Sequence, residues 1–101
     1  MSGRLRGRVA WVTGAGRGLG RAIALAFAEE GAELVLTARS KDELERVAAL
    51  VEADGGRALV APGDVRVASE MEACVEAARA RFGRIDVLVN NAGVWIEKPV
   101  L

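Results

Sequence analysis

The sequence has 101 residues, of which 51% are apolar and 4% aromatic, and its 14 basic and 14 acidic residues give a formal net charge of zero. A chain of this length can bury one modest core, so we expect residues 1–101 to form a single domain. Because charges of opposite sign are interspersed, the composition argues against a nucleic-acid or membrane-surface partner. The nearest approach to a basic patch is Arg4, Arg6 and Arg8, which we interpret as a solvated lead-in on a flexible terminus.

Cys74 and Trp11 are candidate core residues, and the lack of long apolar runs indicates in which cellular compartment the protein is expected. The only cysteine, Cys74, cannot form an internal disulfide, and its small apolar neighbours predict a buried, unreactive thiol. Trp11 lies within an apolar run and is expected in the core. The sequence has no apolar run of membrane-spanning length, and a short strand-like run follows its arginine-rich start where a signal peptide would be apolar for longer. We therefore expect a soluble protein of the reducing cytoplasm.

Short apolar runs alternate along the chain with longer segments of helical character. The runs at residues 9–13, 34–36, 58–60 and 87–89 are apolar on both faces, which is typical of strands buried in a parallel sheet. The segments at 17–30, 41–53 and 69–82 are rich in Ala, Leu, Glu and Arg, which favour helix. The predicted order is therefore β-α-β-α-β-α-β. This order predicts an α/β protein with a doubly wound parallel sheet.

Capping signals agree with these helices. Residues Ser40 to Glu43 and Ser69 to Glu72 both have the Ser-x-x-Glu form of a capping box, which marks a helix start. Glycines follow each helical segment and are expected to end it, at Gly31, Gly55 and Gly83.

A glycine-rich segment, TGAGRGLG at residues 13–20, joins the first strand to the first helix. The start of a helix presents unpaired N–H groups and a partial positive charge, and glycine lets a diphosphate approach without meeting a Cβ atom. One glycine would be enough for a tight turn without a ligand, so four favour a phosphate site. The spacing departs from G-x-G-x-x-G, because Leu19 stands where a third glycine is needed, and no G-K-[ST] follows as in a P-loop.

The segment does match the pattern T-G-x-x-x-G-x-G through Thr13, Gly14, Gly18 and Gly20, and here the chain resembles the classical short-chain dehydrogenases/reductases. Residues 90–93 read N-N-A-G after the fourth strand, as in that family, and residues 64–65 read D-V after the third. The resemblance covers almost the whole chain. It implies a Rossmann-like, nucleotide-binding fold with strand order 3-2-1-4, whose ligands bind at the carboxyl edge of the sheet.

The resemblance also implies which residues bind the cofactor. In the family's arrangement Asp64 and Val65 hold the adenine ring, Asn90 braces the sheet, and the residues after it adjoin the cofactor ribose. The alternative for Asp64 is a turn cap, and for the two asparagines a role in satisfying backbone groups. The predicted cofactor-binding residues are Gly14, Gly16, Arg17, Gly18, Leu19, Gly20, Arg39, Asp64, Val65, Asn91, Ala92 and Gly93.

The end of the second strand bears on the choice of cofactor. An acid there would bind the ribose 2'-hydroxyl of NAD, whereas a nearby arginine accommodates the 2'-phosphate of NADP. Ala38 occupies the position of the acid, Arg39 follows it, and Arg17 is a second cation within the glycine segment. A guanidinium can hold a phosphate through two parallel hydrogen bonds. We therefore expect NADP rather than NAD, although each arginine taken singly could be an ordinary surface cation.

The residues that would perform the chemistry are not found in this sequence. The family reduces carbonyls or oxidises alcohols by hydride transfer, with a Tyr-x-x-x-Lys pair, a Ser and an Asn downstream of N-N-A-G. The 101 residues include no tyrosine, so we assign no catalytic residue, and no metal site is predicted. We expect the cofactor-binding N-terminal part of an NADP-dependent oxidoreductase, inactive without the catalytic half. The alternatives are a non-catalytic NADP-binding module and an inactive fragment.

The predicted strand order also bears on assembly. It leaves the strand at residues 87–89 on the edge of the sheet, apolar on both faces and without Lys or Pro to prevent pairing. Two helices are expected on one face of the sheet and one on the other, so one face has less cover. We therefore expect a homo-oligomer.

Overall fold

A computed structural model describes residues 3–91, and the elements follow one another in the predicted order. Every predicted boundary lies within one residue of the observed one, because apolar runs and glycine stops both signal where an element ends. The strands are β1 (Val9–Thr13), β2 (Glu33–Thr37), β3 (Ala58–Val60) and β4 (Val87–Asn90). The helices are α1 (Gly18–Glu29), α2 (Lys41–Ala53) and α3 (Ala68–Phe82).

The four strands form one parallel sheet in the order β3-β2-β1-β4. This confirms the predicted α/β class and the predicted strand order. The register pairs Thr13, the last residue of β1, with Thr37 of β2 and with Asn90 of β4. The carboxyl ends of these three strands therefore meet at one edge of the sheet, where the following loops come together.

Helices α1 and α2 cover one face of the sheet, as expected. Ala24 of α1 and Leu44 of α2 pack against the same cluster as Leu34 and Leu36 of β2, and all four are fully buried. Burying a leucine side chain contributes about 2 kcal/mol relative to leaving it in water. These contacts fix the start of each helix above the carboxyl edge of the sheet.

Helix α3 covers the other face. Trp11 and Val35 of the sheet pack there against Cys74 and Ala78 of the helix, which confirms that Trp11 belongs to the core. The indole Nε1 of Trp11 donates a hydrogen bond to Thr37 Oγ1 at 2.8 Å. Cys74 is a buried free thiol, as predicted, and burial raises its pKa. A thiol with a raised pKa is a poor nucleophile.

The first of the two predicted capping boxes is present in part, as the Ser40 cap without a return bond from the Glu43 side chain, and the second is wrong. Ser40 is the N-cap of α2, and its Oγ accepts a hydrogen bond from the Glu43 amide at 3.3 Å. Helix α3, however, begins at Ala68, before Ser69, with Val67 as N-cap. The preceding turn sets this start, because the Val67 amide donates to the Asp64 carbonyl oxygen at 2.9 Å.

All three predicted stop glycines have positive φ angles, in the left-handed region that favours glycine. The φ angles are 94° at Gly31, 89° at Gly55 and 83° at Gly83. Gly83 is itself the C-cap of α3. The glycine stops are therefore confirmed, and each lets the chain reverse direction towards the next strand.

The arginines at the start of the chain are solvated, as expected, but residues 4–8 also contact the rest of the fold. The backbone amide of Leu5 donates to the carbonyl oxygen of Glu30 at 2.7 Å, and the Arg4 amide donates to Glu30 Oε1 at 3.2 Å. Leu5 also packs against the core on the side of α1 and α2. The single leucine among the arginines ties the segment to the turn after α1, while the arginines themselves are exposed.

None of the helices within residues 3–91 is long and apolar enough to cross a membrane.

Candidate functional site

A cleft of about 710 Å³ opens at the carboxyl edge of the sheet, where β1, β2 and β4 end. The loops after the strands and the start of α2 form its walls. It is lined by Gly14, Arg17, Ala38, Arg39, Ser40, Glu43, Asp64, Val65, Arg66 and Asn91. Ligands of open α/β sheets bind at this edge, where the strand order reverses.

The structure brings six of the predicted site residues to this cleft: Gly14, Arg17, Arg39, Asp64, Val65 and Asn91. Four others belong to the glycine segment but do not line the cleft, namely Gly16, Gly18, Leu19 and Gly20. The predicted residues Ala92 and Gly93 lie outside the described residues.

Two glycines of the segment are required by the backbone itself. Gly14 has φ 63° and Gly18 has φ 60°, both in the left-handed region. Apart from its neighbours along the chain and the backbone of α1 itself, a methyl group placed on Gly18 would meet no heavy atom of residues 3–91 within 4 Å, so open space lies over the start of α1. Arg17 is the N-cap of this helix, and no side chain within the described residues caps it. The N–H groups of the first turn are therefore available to an anion.

The other two glycines allow close packing. A methyl group on Gly20 would overlap the carbonyl oxygen of Gly14 and lie 2.8 Å from Asn91 Nδ2. A methyl group on Gly16 would lie 2.9 Å from Cβ and 3.0 Å from Oε1 of Glu43. Both glycines are buried. Their lack of a side chain lets α1 approach the end of β1, and lets α2 approach the glycine segment.

Hydrogen bonds from Thr13 join the glycine segment to the end of β4. The Thr13 hydroxyl accepts from the Asn91 amide at 2.9 Å and lies 2.9 Å from Asn90 Oδ1, to which it can donate. Thr13 is 2% exposed, and its partners Asn90 and Asn91 are partly buried. These hydrogen bonds hold Asn91 at the cleft and connect the Asn90 side chain to β1, where the family resemblance implies a bracing role for Asn90.

Three cations and two acids give the cleft its charge: Arg17, Arg39, Arg66, Asp64 and Glu43. The Arg66 guanidinium donates two hydrogen bonds to the Asp64 carboxylate, from Nη2 to Oδ2 at 2.9 Å and from Nε to Oδ1 at 3.1 Å. The Arg66 amide also donates to Oδ1 at 2.9 Å. These hydrogen bonds, with a smaller contribution from the charge of Arg39, lower the pKa of Asp64 from 3.8 to about 2. Asp64 is therefore ionised at neutral pH.

Sequence reasoning missed three residues of the cleft: Ser40, Glu43 and Arg66. The sequence pattern marks Ser40 and Glu43 only as a helix cap, yet a helix that starts directly after a strand places its first turn at the ligand edge. Arg66 stands next to the D-V pair and could have been found by asking which cation neutralises Asp64. Within residues 3–91 no cluster of acidic or sulfur ligands could hold a metal ion.

Comparison with known proteins identifies what the chain is similar to. A family model described as short chain dehydrogenase matches residues 8–101. An uncharacterised oxidoreductase of Methylorubrum extorquens is 47% identical over 93 residues, which cover 91% of this chain and 38% of that protein. A ketoacyl reductase of a Nostoc species is 46% identical over 92 residues, which cover 91% of this chain and 32% of that protein.

Solved structures give the same result. The L-sorbose reductase of Gluconobacter frateurii, complexed with NADPH and L-sorbose, superposes with a TM-score of 0.86 at 40% identity, covering 99% of this chain and 38% of that one. A hydroxysteroid dehydrogenase of Escherichia coli superposes with a TM-score of 0.87 at 36% identity, covering 92% of this chain and 40% of that one. The chain thus spans two fifths or less of the length of these four relatives.

Proposed function

The chain belongs to the short-chain dehydrogenase family, and from this premise we propose that it is the cofactor-binding part of an NADP-dependent oxidoreductase. The proposed reaction is hydride transfer between the nicotinamide ring and a carbonyl or alcohol substrate. The observation that carries the cofactor choice is the placement of Arg17 and Arg39 on one cleft beside Ala38. Residues 1–101 are the dinucleotide-binding domain in this proposal.

The diphosphate of the cofactor binds at the start of α1. Gly18 leaves open space there, and the helix presents N–H groups that no described side chain caps. The first turn, from Gly18 to Arg21, contains no acidic residue that would repel the phosphates. A helix N-terminus of this kind favours negative charge through its partial positive charge and its free donors. Leu19, which is 66% exposed beside this space, packs against the bound cofactor.

The 2'-phosphate of the adenosine ribose binds between Arg17 and Arg39. Both side chains are exposed at the rim of the cleft, so they can turn towards a ligand without breaking an ion pair within residues 3–91. A guanidinium is planar and always charged, and it offers two parallel donors to phosphate oxygens. An L-sorbose reductase of similar fold is complexed with NADPH, which supports this choice of cofactor.

The adenine ring binds beside Asp64 and Val65, which line the same cleft as Gly14 and Arg17. Asp64 is ionised and can accept a hydrogen bond from the adenine amino group, while its pairing with Arg66 holds the carboxylate in place. Asn91, with Ala92 and Gly93 after it, adjoins the ribose on the nicotinamide side in this proposal.

The nicotinamide ring supplies or accepts the hydride when the cofactor is bound. The groups that this chain contributes bind and orient the dinucleotide, and none of its residues is proposed to transfer the proton. The 101 residues contain no tyrosine. A tyrosine within residues 1–101 therefore cannot exchange the proton with the substrate oxygen.

The proposal is tested by titrating the protein with NADPH and with NADH, and with adenosine 2',5'-bisphosphate and AMP as probes of the adenosine end. We expect tighter binding of the two ligands that carry the 2'-phosphate. Arg39→Gln should reduce their affinity about tenfold, as expected for loss of a charged hydrogen bond, with little effect on NADH or AMP. Arg46→Gln, which removes an exposed charge of α2 outside the cleft, is the matched control. Tighter binding of NADH by the unmodified protein would overturn the choice of NADP.

A further inference from the structure

We infer that Glu43 is a further specificity residue, whose carboxylate binds the adenosine ribose hydroxyls and limits the preference for the 2'-phosphate. The inference rests on the proposed function and deepens it. The sequence shows no acid at the end of β2, since Ala38 occupies that position. In the structure an acid reaches the same place from the first turn of α2.

The backbone of α2 fixes where Glu43 points. Its amide donates to Oγ of the N-cap Ser40 at 3.3 Å, which holds the first turn of α2 against the end of β2. The Glu43 side chain is half-buried and lines the cleft. It lies directly over Gly16, because a methyl group on that glycine would be 3.0 Å from Oε1 and 2.9 Å from Cβ of Glu43.

Ala38 borders the same point, and its small side chain leaves room for the carboxylate. Its Cβ atom would lie 3.8 Å from a methyl group on Gly16, the distance of ordinary van der Waals contact. Ala38, Gly16 and Glu43 therefore meet at one position beside the end of β2. Two of them have little or no side chain there, so the third determines the chemistry of that position.

The carboxylate of Glu43 is available to a ligand. Among residues 3–91 it forms none of the four ion pairs, whereas Asp64, the other acid of the cleft, is held by Arg66. An ionised carboxylate accepts hydrogen bonds and donates none. It can therefore bind the 2'- and 3'-hydroxyl groups of a ribose, as an acid near the end of the second strand does in NAD-binding folds.

The same carboxylate opposes a phosphate. A 2'-phosphate bound by Arg17 and Arg39 would lie in the cleft that Glu43 lines, and like charges in a partly desolvated cleft repel one another. Glu43 thus weakens the binding of NADP and strengthens that of NAD, while the arginines act in the opposite direction. The protein is expected to bind both cofactors, with a moderate preference for NADP.

The test compares Glu43→Gln with Glu45→Gln, which removes the same charge from an exposed position of α2 outside the cleft. We expect Glu43→Gln to strengthen NADPH binding and weaken NADH binding, changing the ratio of the two affinities on the order of tenfold at low ionic strength. Glu43→Asp, which withdraws the carboxylate by one methylene, should give an intermediate ratio. Circular dichroism checks that all variants are folded.

The outcomes separate this inference from the proposed function. If the unmodified protein prefers NADPH but Glu43→Gln changes the ratio no more than Glu45→Gln, the inference about Glu43 is overturned and the proposed function stands. If the unmodified protein prefers NADH and Glu43→Gln reverses that preference, the inference holds while the choice of NADP fails. If the folded protein binds neither dinucleotide, both are overturned.

Discussion

The hydroxyl of Thr13 accepts a hydrogen bond from the backbone amide of Asn91, with 2.9 Å between the oxygen and the nitrogen. Thr13 ends β1, at the point where the glycine segment begins, and Asn91 follows the last residue of β4. One buried hydroxyl therefore connects the two chain segments that flank the cleft. Its removal should affect both the stability of the sheet edge and the position of Asn91.

Thr13→Val keeps the shape of the side chain and removes the hydroxyl. The Asn91 amide then loses its acceptor at a part-buried position, so we expect a loss of about 1 kcal/mol in the free energy of unfolding. Thr13→Ser keeps the hydroxyl and is the matched control. Urea unfolding of the two variants measures the difference, and equal midpoints would show that the bond contributes nothing to stability.

The elements of the fold could be predicted because they depend on local pattern. The apolar run of β1 and the glycines that end the helices follow from periodicity and from φ preference. The start of α3 could not be predicted in this way. Ser69 has the right neighbour for a capping box, but Asp64 closes a turn with Val67 and the helix begins earlier. A contact outside the helix therefore overrides a signal within it.

The site was predictable only in part, for a related reason. Gly14 and Gly18 need their left-handed backbone, which a glycine pattern signals. The need for glycine at 16 comes from Glu43, a residue of the next helix, and no short motif contains both. The motif located the loop correctly. It could not show which glycines are needed for a left-handed backbone and which are needed for close packing.

The pairing of Asp64 with Arg66 predicts how this carboxyl titrates. Its pKa is lowered from 3.8 to about 2, chiefly by the Arg66 hydrogen bonds. A pKa that is lower in the folded state means that Asp64 contributes stability above pH 3.8, and that this contribution is lost as pH falls towards 2. Arg66 is exposed and Asp64 is partly exposed, so water screens the pair and the contribution is small.

Arg66→Gln should return the pKa of Asp64 towards 3.8, as followed by the NMR shift of the carboxyl carbon with pH. Asp86 provides an internal control, because its pKa is also lowered, in this case by Arg84. The titration of Asp86 should be the same in both proteins. An Asp64 titration that Arg66→Gln leaves unmoved would show that Arg66 does not hold this carboxylate in solution.

The edge strand β4 leads to a prediction about self-association. Within residues 3–91, β4 lies at the edge of the sheet beyond β1, and its four residues are only partly buried. Partly exposed apolar strands at an edge pair with other strands. We expect the 101-residue chain to self-associate with rising concentration, as measured by light scattering. If light scattering shows that the unmodified chain stays monomeric at all concentrations, the prediction is contradicted.

Gly18 and Gly83 form a natural pair for testing the phosphate site. Both have positive φ, 60° and 83°, and at both a methyl group would meet no heavy atom of residues 3–91 within 4 Å apart from the adjoining backbone and chain neighbours. Substitution by alanine should therefore cost each a similar amount of stability, roughly 1–2 kcal/mol for a left-handed alanine. The positions differ in their place in the fold, since Gly18 begins α1 at the cleft edge of the sheet and Gly83 ends α3.

If the space over Gly18 receives the diphosphate, Gly18→Ala should reduce the affinity for NADPH about tenfold or more, because the methyl group would displace the phosphates from the N–H groups of α1. Gly83→Ala should leave the affinity unchanged at an equal loss of stability. Isothermal titration with NADPH, beside urea unfolding of both variants, separates binding from folding. Equal affinities in the two variants would mean that the diphosphate does not lie over Gly18.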